Sequence, residues 1–176
     1  PFLCIACFYS PHAPWVVPQR FLDMYDREAL PLPDYPPEVE AVRAERGFND
    51  ERLRSARHGN YSMVSEVDHH VGCILATLEA SRLADNTIVV FTSDHGDMMG
   101  SHRLLAKTVS YEESERVPWL MRIPGVPGRT IEEPVSHIDL VPTLLDLMGS
   151  KAGESLPGKS LVPCIRDQRS PGPVFV

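Results

Sequence analysis

The sequence predicts an α/β layered fold with a mainly parallel sheet flanked by helices, and three observations carry that reading. The short apolar runs Phe2–Tyr9, Thr87–Thr92 and Val117–Ile123 are near-continuous rather than alternating, as in strands covered on both faces. Two longer stretches, after Asn49 and from Ser136, repeat their apolar residues at a helical period. The resulting order, strand, helix, strand, strand, helix, strand, places helices between strands, the arrangement that layered α/β folds require.

Phe2–Tyr9 is closed by Ser10-Pro-His-Ala-Pro14, a stiff, proline-flanked break. The segment up to Gly47 is Pro-rich and charged and reads as loop with short helical turns. Asn49 is a plausible N-cap. After it Leu53, Ala56, Tyr61, Val64, Val67, Val71, Ile74, Leu75 and Leu78 mark one long helix that ends near Leu83. Asp85-Asn86 is a turn into the second strand, which Ser93-Asp-His-Gly-Asp97 ends. Met98–Arg116 reads as loop plus a short helix. Val117–Ile123 is closed by Pro124-Gly125. In the helix from Ser136, Gly149 is the C-cap candidate, and Pro173–Val176 reads as the start of another strand.

The 176 residues fit one domain. With 43% apolar and 23% charged residues, the chain has an ordinary globular balance. Its formal net charge of −7 and the lack of a basic stripe argue against nucleic-acid binding. An anionic substrate stays compatible, because a few cations and a metal reverse the field locally. No apolar run approaches a membrane span. No signal peptide is visible, and the start at Pro1 inside a strand reads as an interior start. Cys4 and Cys7 lie three apart in the first strand, where side chains point to opposite faces. That suits neither a redox pair nor a metal clip, so both read as buried core thiols.

In a parallel-type sheet, ligands bind at the carboxyl ends of the strands, and two candidate groups sit there. Asp94-His95 follows the second strand, and a carboxylate beside an imidazole can grip a divalent cation; the same residues also fit a simple turn. His12 follows the first strand, where a rigidly held imidazole can donate to an anionic oxygen, or merely lie at the surface. Lys107, in the apolar setting Leu-Leu-Ala-Lys-Thr, can offset charge on a transferred group. His102, between Asp97 and Lys107, is a further candidate for substrate contact. His69-His70 lies on the long helix, where adjacent residues do not share a face. Glu112, Glu113 and Glu115 beside Arg116 read as a charged helical face. There is no G-x-S-x-G and no phosphate-binding Gly-rich loop.

Together, Pro1–Pro14 (PFLCIACFYSPHAP), Tyr61–Leu78 (YSMVSEVDHHVGCILATL), Asn86–Asp97 (NTIVVFTSDHGD), Lys107–Pro118 (KTVSYEESERVP) and Ser136–Gly149 (SHIDLVPTLLDLMG) resemble the sulfatase family of the alkaline phosphatase superfamily, in the family's order. The resemblance covers nearly the whole chain, with Leu30–Arg57 undiagnostic. It implies an alkaline-phosphatase-like fold, here a partial catalytic domain over residues 1–176 that is incomplete at its N-terminus. By the resemblance, Asp94 and His95 are the late pair of metal ligands, Lys107 bridges sulfate oxygens and the nucleophile, and His12 contacts the sulfate or the leaving oxygen. Tyr61, Asp68 and Gly72, like Asp139, Pro142 and Thr143, match family signatures read as packing and capping. The metal implied is divalent, calcium first, with manganese or magnesium as alternatives.

The departures matter as much. The family nucleophile is a formylglycine made from Cys or Ser in C/S-x-P-S-R, and none of Cys4, Cys7, Cys73, Cys164 or the serines starts that motif. The early Asp-Asp metal pair and the early Lys and Arg are absent too. The implied reaction of the intact enzyme is attack of the formylglycine hydrate on sulfur with expulsion of an alcohol. The sequence therefore predicts a sulfatase piece that is inactive alone and whose partner is the missing N-terminal portion. Two alternatives stand beside it: a phosphonate monoester or phosphodiester hydrolase of the same superfamily, favoured by His95 where many sulfatases have Asn, and a non-catalytic or split-protein piece.

Overall fold

A computed structural model of the chain describes residues 2–37, 49–150 and 155–167. The chain divides into two compact units, Pro1–Pro124 and Gly125–Val176.

The first unit is organised by one helix. After a single helical turn, α1 (Gln19–Leu22), the chain enters α2 (Asp50–Ala80). Asn49 caps α2, its side chain accepting the Arg52 N–H at 2.9 Å, and Asp50 and Glu51 place negative charge at the positive end of the helix dipole. Leu53, Ala56, Gly59, Ser62 and Met63 form its buried stripe. Between Leu22 and Pro31 the chain runs in turns that leave carbonyl groups to be met from elsewhere, and buried backbone groups need partners. Donors on α2 supply them. Arg54 donates to the carbonyls of Glu28 and Leu30, Arg57 to that of Pro31, and His58 Nε2 lies 3.0 Å from the Leu22 carbonyl. Phe21 and Leu30 complete the core on this side.

A short turn at Ala84–Asn86 leads to β1 (Val89–Thr92). A loop and one turn of helix, α3 (Glu112–Glu115), precede β2 (Trp119–Arg122). The strands pair antiparallel, Val89 opposite Arg122 and Thr92 opposite Trp119, and Arg122 donates to Glu79 of α2 at 2.9 Å. The parallel arrangement expected from the apolar runs is not represented among the described strands. An apolar run encodes burial on both faces and says nothing about the direction of its neighbour.

Phe2–Tyr9 corrects the sequence reading. It forms neither helix nor laddered strand, and it is exposed along its length, with Leu3 at 80% and Ile5 at 76%. Cys4 and Cys7 are exposed rather than core thiols. The run is apolar enough for a central strand, but among the described residues no strand pairs with it and no layer covers it; Phe8 stacks on His70, and Tyr9 meets His12 of the loop that follows.

In the second unit, a turn at His137–Asp139 leads into α4 (Leu140–Leu147), and α5 (Val162–Asp167) follows. Gly149, at φ +73°, closes α4: the Ser150 N–H reaches the Leu145 carbonyl at 2.8 Å. Asp139 and Thr143 are buried and paired. Asp139 accepts the Lys159 N–H and Thr143 Oγ1 the Leu161 N–H, each at 2.9 Å. Both residues thus pack and tie the 159–161 segment to α4, but the Asp139 side chain makes no capping bond at the start of that helix. The expected strand at Pro173–Val176 lies outside the described residues.

Two glycines of α2 give opposite expectations. A Cβ on Gly59 would lie 2.4 Å from Trp15 Cβ, whereas Gly72, read from its motif as a packing residue, has open space around it. Gly59→Ala therefore loses about 1–3 kcal/mol to overpacking, which outweighs the gain of about 1 kcal/mol in helix propensity. Gly72→Ala gains about 0.5–1 kcal/mol. Urea unfolding of both variants checks this, and a stabilised Gly59→Ala would contradict the packing described.

Candidate active site

The site is built where β1 ends. Past Thr92 the backbone turns, and the polar groups of Ser93–Gly96 close on one another. Ser93 Oγ donates to the His95 carbonyl at 2.9 Å, and the His95 N–H donates to Asp94 Oδ1 at 2.9 Å. The His95 ring lies beside the Gly96 carbonyl, Nδ1 to O 2.8 Å. A carbonyl only accepts, so this bond places the proton on Nδ1 and leaves the Nε2 lone pair free in the neutral ring. That Nε2 faces Asp94 Oδ2 at 3.5 Å. In the neutral ring these are two acceptors side by side, an arrangement that a proton on Nε2 or a bound cation would satisfy.

Asp94 is 84% exposed and His95 38%, so the pair opens to solvent on one side. Partial burial pushes the Asp94 carboxyl up, but the His95 backbone N–H, the positive charge of the His95 ring when it is protonated, the Asp94 backbone N–H and the Ser93 hydroxyl hold it below the usual carboxylate range. A carboxylate oxygen and a free imidazole nitrogen 3.5 Å apart fit two ligands of one divalent ion, given metal–ligand distances of about 2.0–2.6 Å. Among the described residues no third His, Cys, Asp or Glu completes a cluster.

The loop after the pair is stitched on both sides. Gly96 N–H donates to the Ser114 carbonyl of α3, and Met98 N–H to the Ala106 carbonyl, each at 2.8 Å. A Cβ at Gly96 would lie 2.0 Å from the Glu113 carbonyl oxygen, so only glycine allows this approach. Met98 is fully buried. Arg57 of α2 donates to the Met99 carbonyl at 2.9 Å, and Tyr35 hydrogen-bonds the Gly100 carbonyl. Gly100 rests against the Leu53 side chain with φ +97°. Met99, His102, Arg103, Ala106 and Thr108 also adopt positive φ, which is costly for non-glycine residues. The surrounding contacts hold a backbone that would otherwise relax.

The Met98–Ala106 hydrogen bond is what joins Lys107 to the Asp94-His95 turn. Lys107 is half-buried, and the Thr108 hydroxyl bonds its carbonyl. His102 stacks on Tyr111, ring centroids 4.1 Å apart and planes 8° apart, with Nε2 3.6 Å from Glu113 Oε1. His12 is exposed; its Nδ1 lies 2.6 Å from the Ala13 carbonyl and 2.9 Å from the Tyr9 hydroxyl. Its loop meets α2 through Asn60, whose amide reaches the Pro11 carbonyl at 3.5 Å. Asp94, His95, His102 and Lys107 thus share one stitched segment, while His12 sits on a separate loop of the same unit.

Sequence reasoning missed the residues that shape this segment. Arg57 lies inside the stretch that carried no diagnostic pattern. Glu113 was visible only as one of several helical acids, and Gly96 only as the third residue of Asp-His-Gly.

The sulfatase family profile matches residues 1–150. The chain belongs to the sulfatase family. An ulvan-active sulfatase of Formosa agariphila is 36% identical over 174 residues, covering 95% of this chain and 32% of that protein. An arylsulfatase of Clostridium perfringens is 33% identical, covering 97% of this chain and 38% of that protein. Among solved structures, a phosphonate monoester hydrolase from Silicibacter pomeroyi superposes with a TM-score of 0.80 at 32% identity, over 89% of this chain and 36% of that one. The α/β, alkaline-phosphatase-like fold class is therefore that of this sulfatase chain, which spans about a third of the length of the relatives it matches. No helix among the described residues is long and apolar enough to cross a membrane.

The lowered Asp94 pKa has a signed consequence. Its folded value lies below its unfolded one, so its contribution to stability is full above the ordinary carboxylate pKa and is lost as pH falls through the folded value. The stability difference between wild type and Asp94→Asn, followed by urea unfolding, is expected to shrink on acidification through that window. A difference independent of pH would contradict the hydrogen bonding described.

Proposed function

We propose that this chain carries the later part of a sulfate-ester hydrolase active site. Asp94 and His95 contribute two ligands to a divalent metal, calcium first, with manganese or magnesium as alternatives. Lys107 offsets charge on the oxyanion, and His12 assists at the leaving oxygen. The observation that carries the reading is the Asp94 Oδ2–His95 Nε2 separation of 3.5 Å, with the Gly96 carbonyl fixing the imidazole proton on the far nitrogen. The family match supports it.

Each side chain's work follows from its setting. The Asp94 carboxylate is kept ionised by donors from His95 and Ser93. Lys107 brings an ammonium on a loop whose backbone is pinned to the Asp94-His95 turn. Such a cation stabilises charge developing on oxygen more strongly where water is partly excluded. The His12 ring engages Tyr9 and Ala13 through Nδ1, which leaves Nε2 to face a reacting group. A bound divalent ion would supply Lewis-acid polarisation of the oxyanion.

The rest of the catalytic apparatus lies beyond these residues. No residue of the sequence begins C/S-x-P-S-R, and the chain covers about a third of its relatives. The remaining part of a sulfatase catalytic domain is the partner this reading requires, and the exposed apolar run Phe2–Tyr9 is a surface it could cover. A second reading, phosphonate monoester hydrolysis, is favoured by the structural match to a phosphonate monoester hydrolase and by His95 as the second ligand.

Two outcomes are expected. The isolated chain gives no measurable turnover of an aryl sulfate, with or without calcium; robust turnover would defeat the assignment of the nucleophile to another segment. In a protein carrying this segment with the nucleophile motif, Asp94→Ala and Lys107→Ala each lower aryl-sulfate turnover by about 100-fold or more. Activity unchanged by either would sink the site, and faster turnover of a phosphonate monoester than of the sulfate would select the second reading.

A further inference from the structure

We propose that His102, Tyr111 and Glu113 form a clamp that locks the Met98–Thr108 loop onto α3 and so fixes the backbone that carries Lys107 beside Asp94-His95. His102 is then a positioning residue and not a substrate contact. That the clamp serves catalysis rests on the reading above; that it holds the loop does not.

Three observations converge. First, the His102 ring is occupied on one face and at one nitrogen: Tyr111 stacks against it at 4.1 Å, and Glu113 Oε1 lies 3.6 Å from Nε2. Second, both partners belong to the α3 turn that fixes the metal-ligand end of the loop. Tyr111 accepts the Ser114 N–H at its carbonyl, Ser114 accepts the Gly96 N–H, and the Glu113 backbone abuts Gly96. The element that grips Gly96 through its backbone therefore grips His102 through its side chains. Third, the loop between these grips holds positive φ at Met99, Gly100, His102, Arg103, Ala106 and Thr108. Its internal bonds, Met98 to Ala106 at 2.8 Å and Gly100 to Leu104 at 2.9 Å, do not by themselves tie it to α3. Lys107 follows Ala106 directly, so freedom in the loop becomes freedom in the ammonium.

The charged groups around the imidazole are consistent with this role. Glu113 faces it from α3, while Glu112 of the same turn is engaged by Arg116 at 2.7 Å. The stack requires a planar ring at position 111 but not its hydroxyl, so Tyr111→Phe should preserve the clamp and Tyr111→Ala should not.

Amide hydrogen exchange by NMR on the full chain tests it, with Tyr111→Phe, Tyr111→Ala and His102→Gln beside wild type. In wild type and Tyr111→Phe the carbon-bound ring protons of His102 should carry an upfield ring-current shift, and the Met98 and Gly100 amides should be protected alike. In Tyr111→Ala the shift should vanish and exchange at those two amides should rise about five- to tenfold, with amides in the middle of α2 unchanged. Loss of the shift with unchanged exchange at Met98 and Gly100 would overturn the proposal, as would acceleration spread equally over α2. If Tyr111→Ala does not fold, His102→Gln decides by the same two amides: faster exchange supports the clamp and unchanged exchange overturns it. Lys107→Ala in a protein carrying this segment with the nucleophile motif keeps the two readings apart. The expected exchange pattern together with aryl-sulfate turnover unchanged in Lys107→Ala supports the clamp and contradicts the role of Lys107 in the sulfatase reading.

Discussion

The hydrogen bond from Arg57 to the Met99 carbonyl, with Leu53 packed against Gly100 one residue on, is the constraint on which the site depends. Leu53, buried, and Arg57, half-buried, lie four residues apart on one face of α2, the longest described helix. The loop they hold adopts backbone conformations that its non-glycine residues disfavour. A chain left free would relax out of them, and the Ala106–Lys107 segment would move with it. The helix contributes nothing chemical itself. It supplies the rigid surface against which a strained loop can be stitched, and that stitching sets where a carboxylate, an imidazole and an ammonium stand.

Within that frame the chemistry is decided by short-range polar bonds. The Gly96 carbonyl fixes a proton on His95 Nδ1, and the His95 N–H donates to the Asp94 carboxylate. Contacts of this kind are what would orient the two groups were they to hold a metal. The sequence holds no C/S-x-P-S-R, and among the described residues no third His, Cys, Asp or Glu joins the Asp94-His95 pair.

Much of this was legible in the sequence where the cause is local. Asn49 before a helical period announced the start of α2, and Gly149 after Leu147 announced the end of α4. Both are capping signals in which one residue's chemistry decides the outcome. The apolar runs at Thr87–Thr92 and Val117–Ile123 gave strands for the same reason. Phe2–Tyr9 failed because apolar composition encodes a demand for burial, and burial depends on what else is present to cover the run. The antiparallel direction of β1 and β2 was hidden because period and composition carry no information about a neighbour's direction. At the candidate site, Asp94, His95 and Lys107 were singled out through the pattern of a family. The grips on their loop, Arg57 to Met99, Glu113 to His102 and Gly96 to Ser114, join residues distant in the chain and leave no signature in spacing.

The central claim is that Asp94 and His95 are held as converging ligands with Lys107 fixed beside them. Paramagnetic broadening by manganese in the NMR spectrum of the chain tests this most directly, because broadening depends on distance to the bound ion and needs only weak binding. The account predicts that Asp94, His95 and Lys107 broaden first and together, ahead of the carboxylates elsewhere on this acidic surface. Broadening that starts at other acidic residues, or that reaches Asp94 and His95 while sparing Lys107, would contradict it.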